Sequence, residues 1–204
     1  MSVTRKWFGP SSKEIWQQLS TELNAQYVPG SFWKGERVQA EHGEWTIVLD
    51  KYVVSTGKVT VVYTRFRAPY VNPDGFRFTV YRRNLFADIA KRFGMQDVEV
   101  GYKDFDEAFI IKGTNEAKLR RLFQNARIRE LLSAQRDVHF SVRDDEGWLS
   151  KPKFPENTDQ LYFTVHGVVK DMDRLKQVFD LFAETLDELC RIGSAYEKAP
   201  GVVL

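Results

Sequence analysis

The chain has 204 residues, 43% of them hydrophobic, which suffices for one large core or two small ones. Lys and Arg total 30 against 28 Asp and Glu, so the formal charge of +2 argues neither for nor against a nucleic-acid or membrane partner. Cys190 is the single cysteine, which excludes an intrachain disulfide and suits a reduced, cytoplasmic setting.

The opening stretch, MSVTRKWFGPSSKE, has no apolar core of the secretory type. No run approaches about eighteen apolar residues, so a soluble intracellular protein with no membrane span is expected. Ser11 and Glu14 form a capping-box pattern, and Ile15, Trp16, Leu19, Leu23 and Tyr27 follow at helical spacing until Pro29-Gly30. Strand-like segments then cover about 36–40, 45–54, 58–68 and 76–81, separated by His42-Gly43, by Ser55-Thr56-Gly57 and by the turn-rich 69–75. Connections this short favour an antiparallel meander.

A short helix is expected from Asn84, with Leu85, Phe86, Ile89 and Phe93 on one face and Gly94 as its stop. A strand at 98–102 follows. The clearest fold signal is FDEAFIIKGTNEAKLRRLFQNARIRELL, 105–132, which reads as a buried strand turning through Gly113 and Thr114 into a long amphipathic helix. Leu119, Leu122, Phe123 and Ala126 share a stripe, while Ile128, Leu131 and Leu132 fall out of phase, so a bend or second helix is expected near Asn125. Two more strands, 138–143 and 161–169, flank a surface connector containing Pro152, Pro155 and Asn157.

The final helix begins at Asp171 and carries Leu175, Val178, Phe179, Phe182, Leu186 and Leu189 on one face up to Gly193. The tail, 194–204, is expected to fray. AFIIKG and YFTVHG, each followed by a helix, form a weak internal echo that signals architecture and not function. Together these elements predict an α+β protein: an antiparallel sheet covered by three or four helices, with a long C-terminal amphipathic helix. A single domain over 1–204 is expected, divisible into two closely packed lobes at about 1–95 and 96–195.

The leading functional candidate is the basic, aromatic segment 59–83, VTVVYTRFRAPYVNPDGFRFTVYRR, read as a hairpin. Alternation sets Tyr63, Arg65 and Arg67 on one face and Phe66 on the other, while Arg77 and Tyr81 point away from Phe76, Phe78 and Val80. With Tyr70, Arg82 and Arg83 these side chains would form a positive, stackable surface for phosphates, carboxylates or bases. The bland alternative is a sheet with one solvated arginine face and one apolar face packed on helices.

Asp104 and Asp106, two apart in the acidic group Asp97, Glu99, Asp104, Asp106 and Glu107, could hold a hard divalent cation from one face of a strand; solvated strand ends are the simpler reading. Asp144-Asp145-Glu146-Gly147 reads as a hairpin turn. His42, His139 and His166 lie outside metal-ligand spacing, although His139 and His166 could approach across the sheet. Cys190 sits beside the apolar stripe of the last helix and reads as a buried, inert thiol. No nucleophile elbow, P-loop, dinucleotide fingerprint or kinase motif is present, and no cofactor is expected.

The segments YTRFRAP, DGFRFTVYR, DFDEAFIIKGTNEAKL and VVKDMDRL…LFAETLDEL…IG resemble a bacterial family of conserved hypothetical proteins of unknown function, over about 16–195. A related pattern occurs in larger, often membrane-anchored families of unknown function. The resemblance implies an α+β fold and a bacterial, intracellular setting, and it carries no catalytic residue. Three functions therefore stand as expectations. The first is a non-enzymatic binding or scaffold protein for an unknown protein or small-molecule partner, with a homo-oligomer suggested by the 15 Phe, 8 Tyr and 5 Trp. The second is anion or nucleic-acid binding through 59–83, and the third a metal-dependent enzyme of unknown reaction.

Overall fold

A computed structural model describes residues 10–31, 35–55, 57–83, 97–144, 154–202 and 204. Its strands are β1 (Gln26–Val28), β2 (Arg37–His42), β3 (Trp45–Ser55), β4 (Thr60–Val71), β5 (Phe78–Arg82), β6 (Phe109–Gly113), β7 (His139–Arg143) and β8 (Thr158–His166). Five helices are described: α1 (Ser12–Glu22), α2 (Lys103–Ala108), α3 (Glu116–Leu122), α4 (Ala126–Ala134) and α5 (Met172–Arg191). The protein is α+β. One sheet runs in the order β1-β2-β3-β4-β8-β7-β5-β6, antiparallel throughout.

The meander holds through β4 and then stops. β4 and β5 do not form the expected hairpin, because β8 and β7 lie between them. The free edge of β4 pairs with β8 over eight residues, from Thr64↔Val165 to Val71↔Thr158, a longer ladder than five-residue β5 could supply. Buried Asn72 turns the chain away at this point, donating from Nδ2 to the Phe76 carbonyl at 3.1 Å and to Asp159 Oδ2 at 2.5 Å.

Alternation in each strand sends one set of side chains to the helices. Phe66 of β4 meets Phe179 and Phe182 of α5 at centroid distances of 5.1 and 5.9 Å. Phe182 meets Phe140, Phe140 meets Phe78, and Phe78 meets Phe123. Phe123 then contacts Phe105, which packs on Phe109 at 4.6 Å. The chain's aromatic richness is thus largely core: the largest fully buried side chains are all Trp, Tyr or Phe. Leu175, Val178, Phe179, Phe182, Leu186 and Leu189 form the buried stripe of α5, as their spacing predicts.

Local differences have local causes. The capping box is formed, with Glu14 N–H donating to Ser11 Oγ at 3.2 Å and Ser11 N–H to Glu14 Oε2 at 2.9 Å. The helix stops at Glu22, short of Tyr27, because Asn24 adopts φ 50° and turns the chain into β1, which opens at Gln26. The segment 98–102 is not a strand beyond the Val98 N–H bond to Ile111 O. Instead the Asp106 carboxylate accepts N–H bonds from Val100, Gly101 and Tyr102 at 2.9–3.0 Å and gathers that backbone into a turn. Phe105 consequently lies in α2, and the strand begins only at Phe109.

The expected bend near Asn125 is present. Its side chain accepts from Arg127 N and Ile128 N and opens α4 afresh. The helix expected from Asn84, the turn residues Asp145-Glu146-Gly147, and Pro152 lie outside the described residues.

Candidate functional site

The face of the sheet opposite α5 carries Tyr63, Arg65 and Arg67 of β4, as alternation predicts. Cross-strand register sets Asp50 opposite Arg65 and Tyr162 opposite Arg67. Asp50 binds Arg65 in a two-pronged pair, Nε to Oδ1 and Nη2 to Oδ2, both 2.7 Å, and also accepts from Arg67 Nη2 at 2.7 Å. Arg67 is buried, with only 5% of its surface exposed. Removing one partner from such a buried set typically costs about 3–5 kcal/mol, which marks these contacts as part of the scaffold.

Guanidinium–ring contacts do occur, with rings other than the expected Tyr63 and Tyr81. Arg65 lies 4.9 Å from the Tyr52 ring, and Arg143 lies 3.7 Å from that of Tyr162. Tyr63 meets His166 edge-on at 5.7 Å, while His139 lies across the sheet from Thr164 and Tyr81. Tyr81 is buried, and its hydroxyl shares a hydrogen bond with Lys112, which in turn pairs with Asp97 at 3.1 Å. Burial pushes the Tyr81 phenol up.

The remaining candidates are dispersed. Arg77 grips Asp159 through Nε and Nη2, both 3.0 Å, and reaches Asp144 with Nη1 at 2.9 Å. The Asp159 bond raises its pKa further. Tyr70 lies on the helix side, fully buried, with its phenol pushed far up by burial and by the nearby Asp159 and Asp74 carboxylates. Arg82 donates to the carbonyls of Gln135 and Ser133 at the end of α4 and lies 4.8 Å from the Phe109 ring. Arg83 donates to Glu107, Asp106 and Phe109 carbonyls at the end of α2. Both arginines thus satisfy helix C-terminal carbonyls and complement the dipole there.

Asp104 and Asp106 lie on α2, where residues two apart point to different sides of a helix, in contrast to the shared strand face their spacing suggested. Among the described residues no group of three His, Cys, Asp or Glu has metal-binding geometry. An open depression of about 510 Å³ nearby is lined by Arg83, Glu99, Gly101, Lys103, Asp106 and Glu107. Two of its charges, Arg83 and Asp106, are already bonded to backbone. Cys190 is half-buried, and burial raises its thiol pKa, which disfavours the reactive thiolate.

Sequence reasoning missed the two carboxylates that organise this region, Asp50 and Asp159. Their signal was present: each is a lone acid inside an apolar strand, in TIVLDKYVV and TDQLYFTV. A buried acid of that kind implies a cationic partner elsewhere in the fold.

One surface stands apart. β2 leaves β3 at the pair Arg37↔Asp50, and β8 leaves β4 at Val165↔Thr64. Beyond these points 51–55 and 60–63 form a two-stranded arm, with Tyr52↔Tyr63, Val53↔Val62 and Val54↔Val61 as its rungs. On the β4 side Gly167 donates to the Val62 carbonyl at 2.8 Å and bridges to Tyr63, so the side of the arm left without a pairing strand among the described residues is that of 51–55. Tyr52 and Val53 are 37% and 55% exposed. Large apolar side chains are thus held in solvent on a projecting ribbon. No family model, curated protein or solved structure matches this chain. Among the described residues no helix is long and apolar enough to cross a membrane.

Proposed function

We propose that this is a non-enzymatic binding or scaffold protein, a sheet-and-helix platform that presents the β3–β4 arm to a protein partner. One contrast carries the reading: the chemically capable side chains are committed to internal bonds, while three of the four exposed large apolar side chains among the described residues, Tyr52, Val53 and Val59, lie on the arm or beside its tip, Tyr196 being the fourth. Arg65, Arg67 and Arg77 neutralise Asp50 and Asp159, and Arg82 and Arg83 bind carbonyls. A phosphate would have to displace carboxylates already held at 2.7–3.0 Å, which weighs against the anion and nucleic-acid reading. A bacterial, cytoplasmic setting belongs to this proposal, supported by the single cysteine and by the resemblance of the sequence to bacterial proteins.

Quantitative affinity capture compares the wild-type chain with a Tyr52→Ser/Val53→Asp arm variant of equal thermal stability. A protein retained by the first and lost by the second supports the proposal. Identical captured sets overturn it. So does a gel shift that tightens steeply as salt is lowered, because that is the signature of phosphate contacts.

A further inference from the structure

We propose that the partner of the arm is a second copy of this chain, joined edge to edge through the outer strand of the arm, residues 51–55 of β3. The inference rests on the platform reading and gives the partner its identity.

Among the described residues the outer edge of β3 past Asp50 has no pairing strand, whereas its inner side is fully paired with β4 from Lys51↔Thr64 to Ser55↔Thr60. Backbone N–H and C=O groups on such an edge are a template for another strand. Soluble proteins normally blunt these edges with proline, a bulge, very short length or a charge in mid-strand. Residues 51–55 read Lys-Tyr-Val-Val-Ser: no proline, no glycine, and charge only at the inner end. Tyr and Val are strong strand formers, so the segment is ready to continue a sheet.

Its sequence also suits itself as a partner. Two copies related by a two-fold axis pair antiparallel, and the only register that uses all five free residues is centred on Val53. Lys51 then faces Ser55 of the second copy, Tyr52 faces Val54, and Val53 faces Val53. No like charges meet, because Lys51 is displaced from its own counterpart by four positions along the ladder. Lys51 is in any case neutralised within its own chain by Glu36, at 2.6 Å. Val53, the most exposed large apolar residue of β3, sits on the axis. The two sheets would join into one.

A five-residue ladder spans only about 17 Å. Its interface falls in the small class, below about 1,200 Å², which corresponds to a weak dimer with dissociation in the micromolar range. Sedimentation velocity on the full chain from about 1 to 100 μM brackets that value. The wild-type chain is expected to shift from monomer to dimer across the range. Val53→Lys and Val53→Glu are each expected to weaken dimerisation more than about tenfold, since each sets like charges against each other on the axis. An equimolar mixture of the two variants is expected to recover it, because position 53 then faces the opposite charge. Val53 is exposed, so both variants should keep the wild-type melting temperature.

A wild-type chain that stays monomeric throughout overturns the inference, and so does a dimer that survives both single variants or a mixture that fails to recover. A monomeric chain that sediments with phosphatidylcholine–phosphatidylglycerol vesicles assigns the arm to a lipid surface and overturns it equally. Arm-dependent capture of another protein by a monomeric chain would overturn the dimer while leaving the platform reading intact.

Discussion

His139 shows how position sets chemistry at the scale of one residue. Its ring lies on β7 with the Arg143 guanidinium 3.3 Å from Nδ1. Burial, and then the Arg143 charge, lower its pKa to about 3, so the ring is neutral at pH 7. The unfolded chain takes up this proton near pH 6.5, whereas the folded chain resists until about pH 3. Between those values the unfolded state holds more protons. The contribution to stability is therefore complete above pH 6.5 and falls as the pH is lowered. Urea unfolding is expected to show about 2 kcal/mol less stability at pH 5 than at pH 7. His139→Gln should flatten that difference; an equal loss in the variant would show that other groups are responsible. A general-base role for His139 is unfavourable on the same grounds, since its basicity is suppressed.

The element scale is clearest where β6 meets α3. Gly113 ends the strand in a space closed by the helix it precedes: a Cβ there would lie 2.8 Å from Leu119 Cδ1 and 3.0 Å from the Arg77 carbonyl oxygen. The glycine is needed for close approach of strand and helix, not to cradle an anion. Gly113→Ala is expected to destabilise the protein by about 1–3 kcal/mol through overpacking, measured as a shift in the urea midpoint. Gly35→Ala, with nothing within 4 Å of its added Cβ, is the control and should change little. The helix that follows Gly113 was legible in pattern, including its interruption, because Asn125 announces a cap and the apolar stripe changes phase there. The start of the strand was not legible. Phe105 and Phe109 have the same spacing in a strand face as in a helical turn, and only the bonds from Asp106 to three backbone N–H groups decide for α2.

For the whole molecule, the continuity of the sheet matters most. β4 takes β8 as its neighbour, and β5 takes both β6 and β7, so strands from the two halves of the sequence alternate across one sheet. The aromatic line from Phe66 through Phe182, Phe140 and Phe78 to Phe105 ties the same halves together on the helix side. Unfolding is therefore expected as one transition, with tryptophan fluorescence and far-ultraviolet circular dichroism superimposing; separated midpoints would show two independently melting units. The arm is the exception in this construction: beyond its own strand pairing it is held by the Gly167 bond to Val62, by the Tyr63–His166 ring contact and, at Lys51, by contacts to Glu36 and to Ser12 and Trp16 of α1. It belongs to the least protected part of the molecule, as interaction elements often do.

By itself the sequence determined the α+β class, the capped α1, the interrupted α3–α4 and the apolar stripe of α5, because strand alternation and the helical period are properties of neighbouring residues. It also showed where Arg65 and Arg67 lie along β4 and set Arg77 beside the start of β5. Tertiary structure alone decided what those arginines do. Asp50 lies 15 residues before Arg65 and Asp159 lies 82 beyond Arg77, and no local rule pairs them. It likewise broke the expected hairpin and left the outer edge of the arm without a pairing strand among the described residues, because which strand edges meet depends on the longest complementary ladder in the folded sheet, and that competition is settled between segments far apart in the chain.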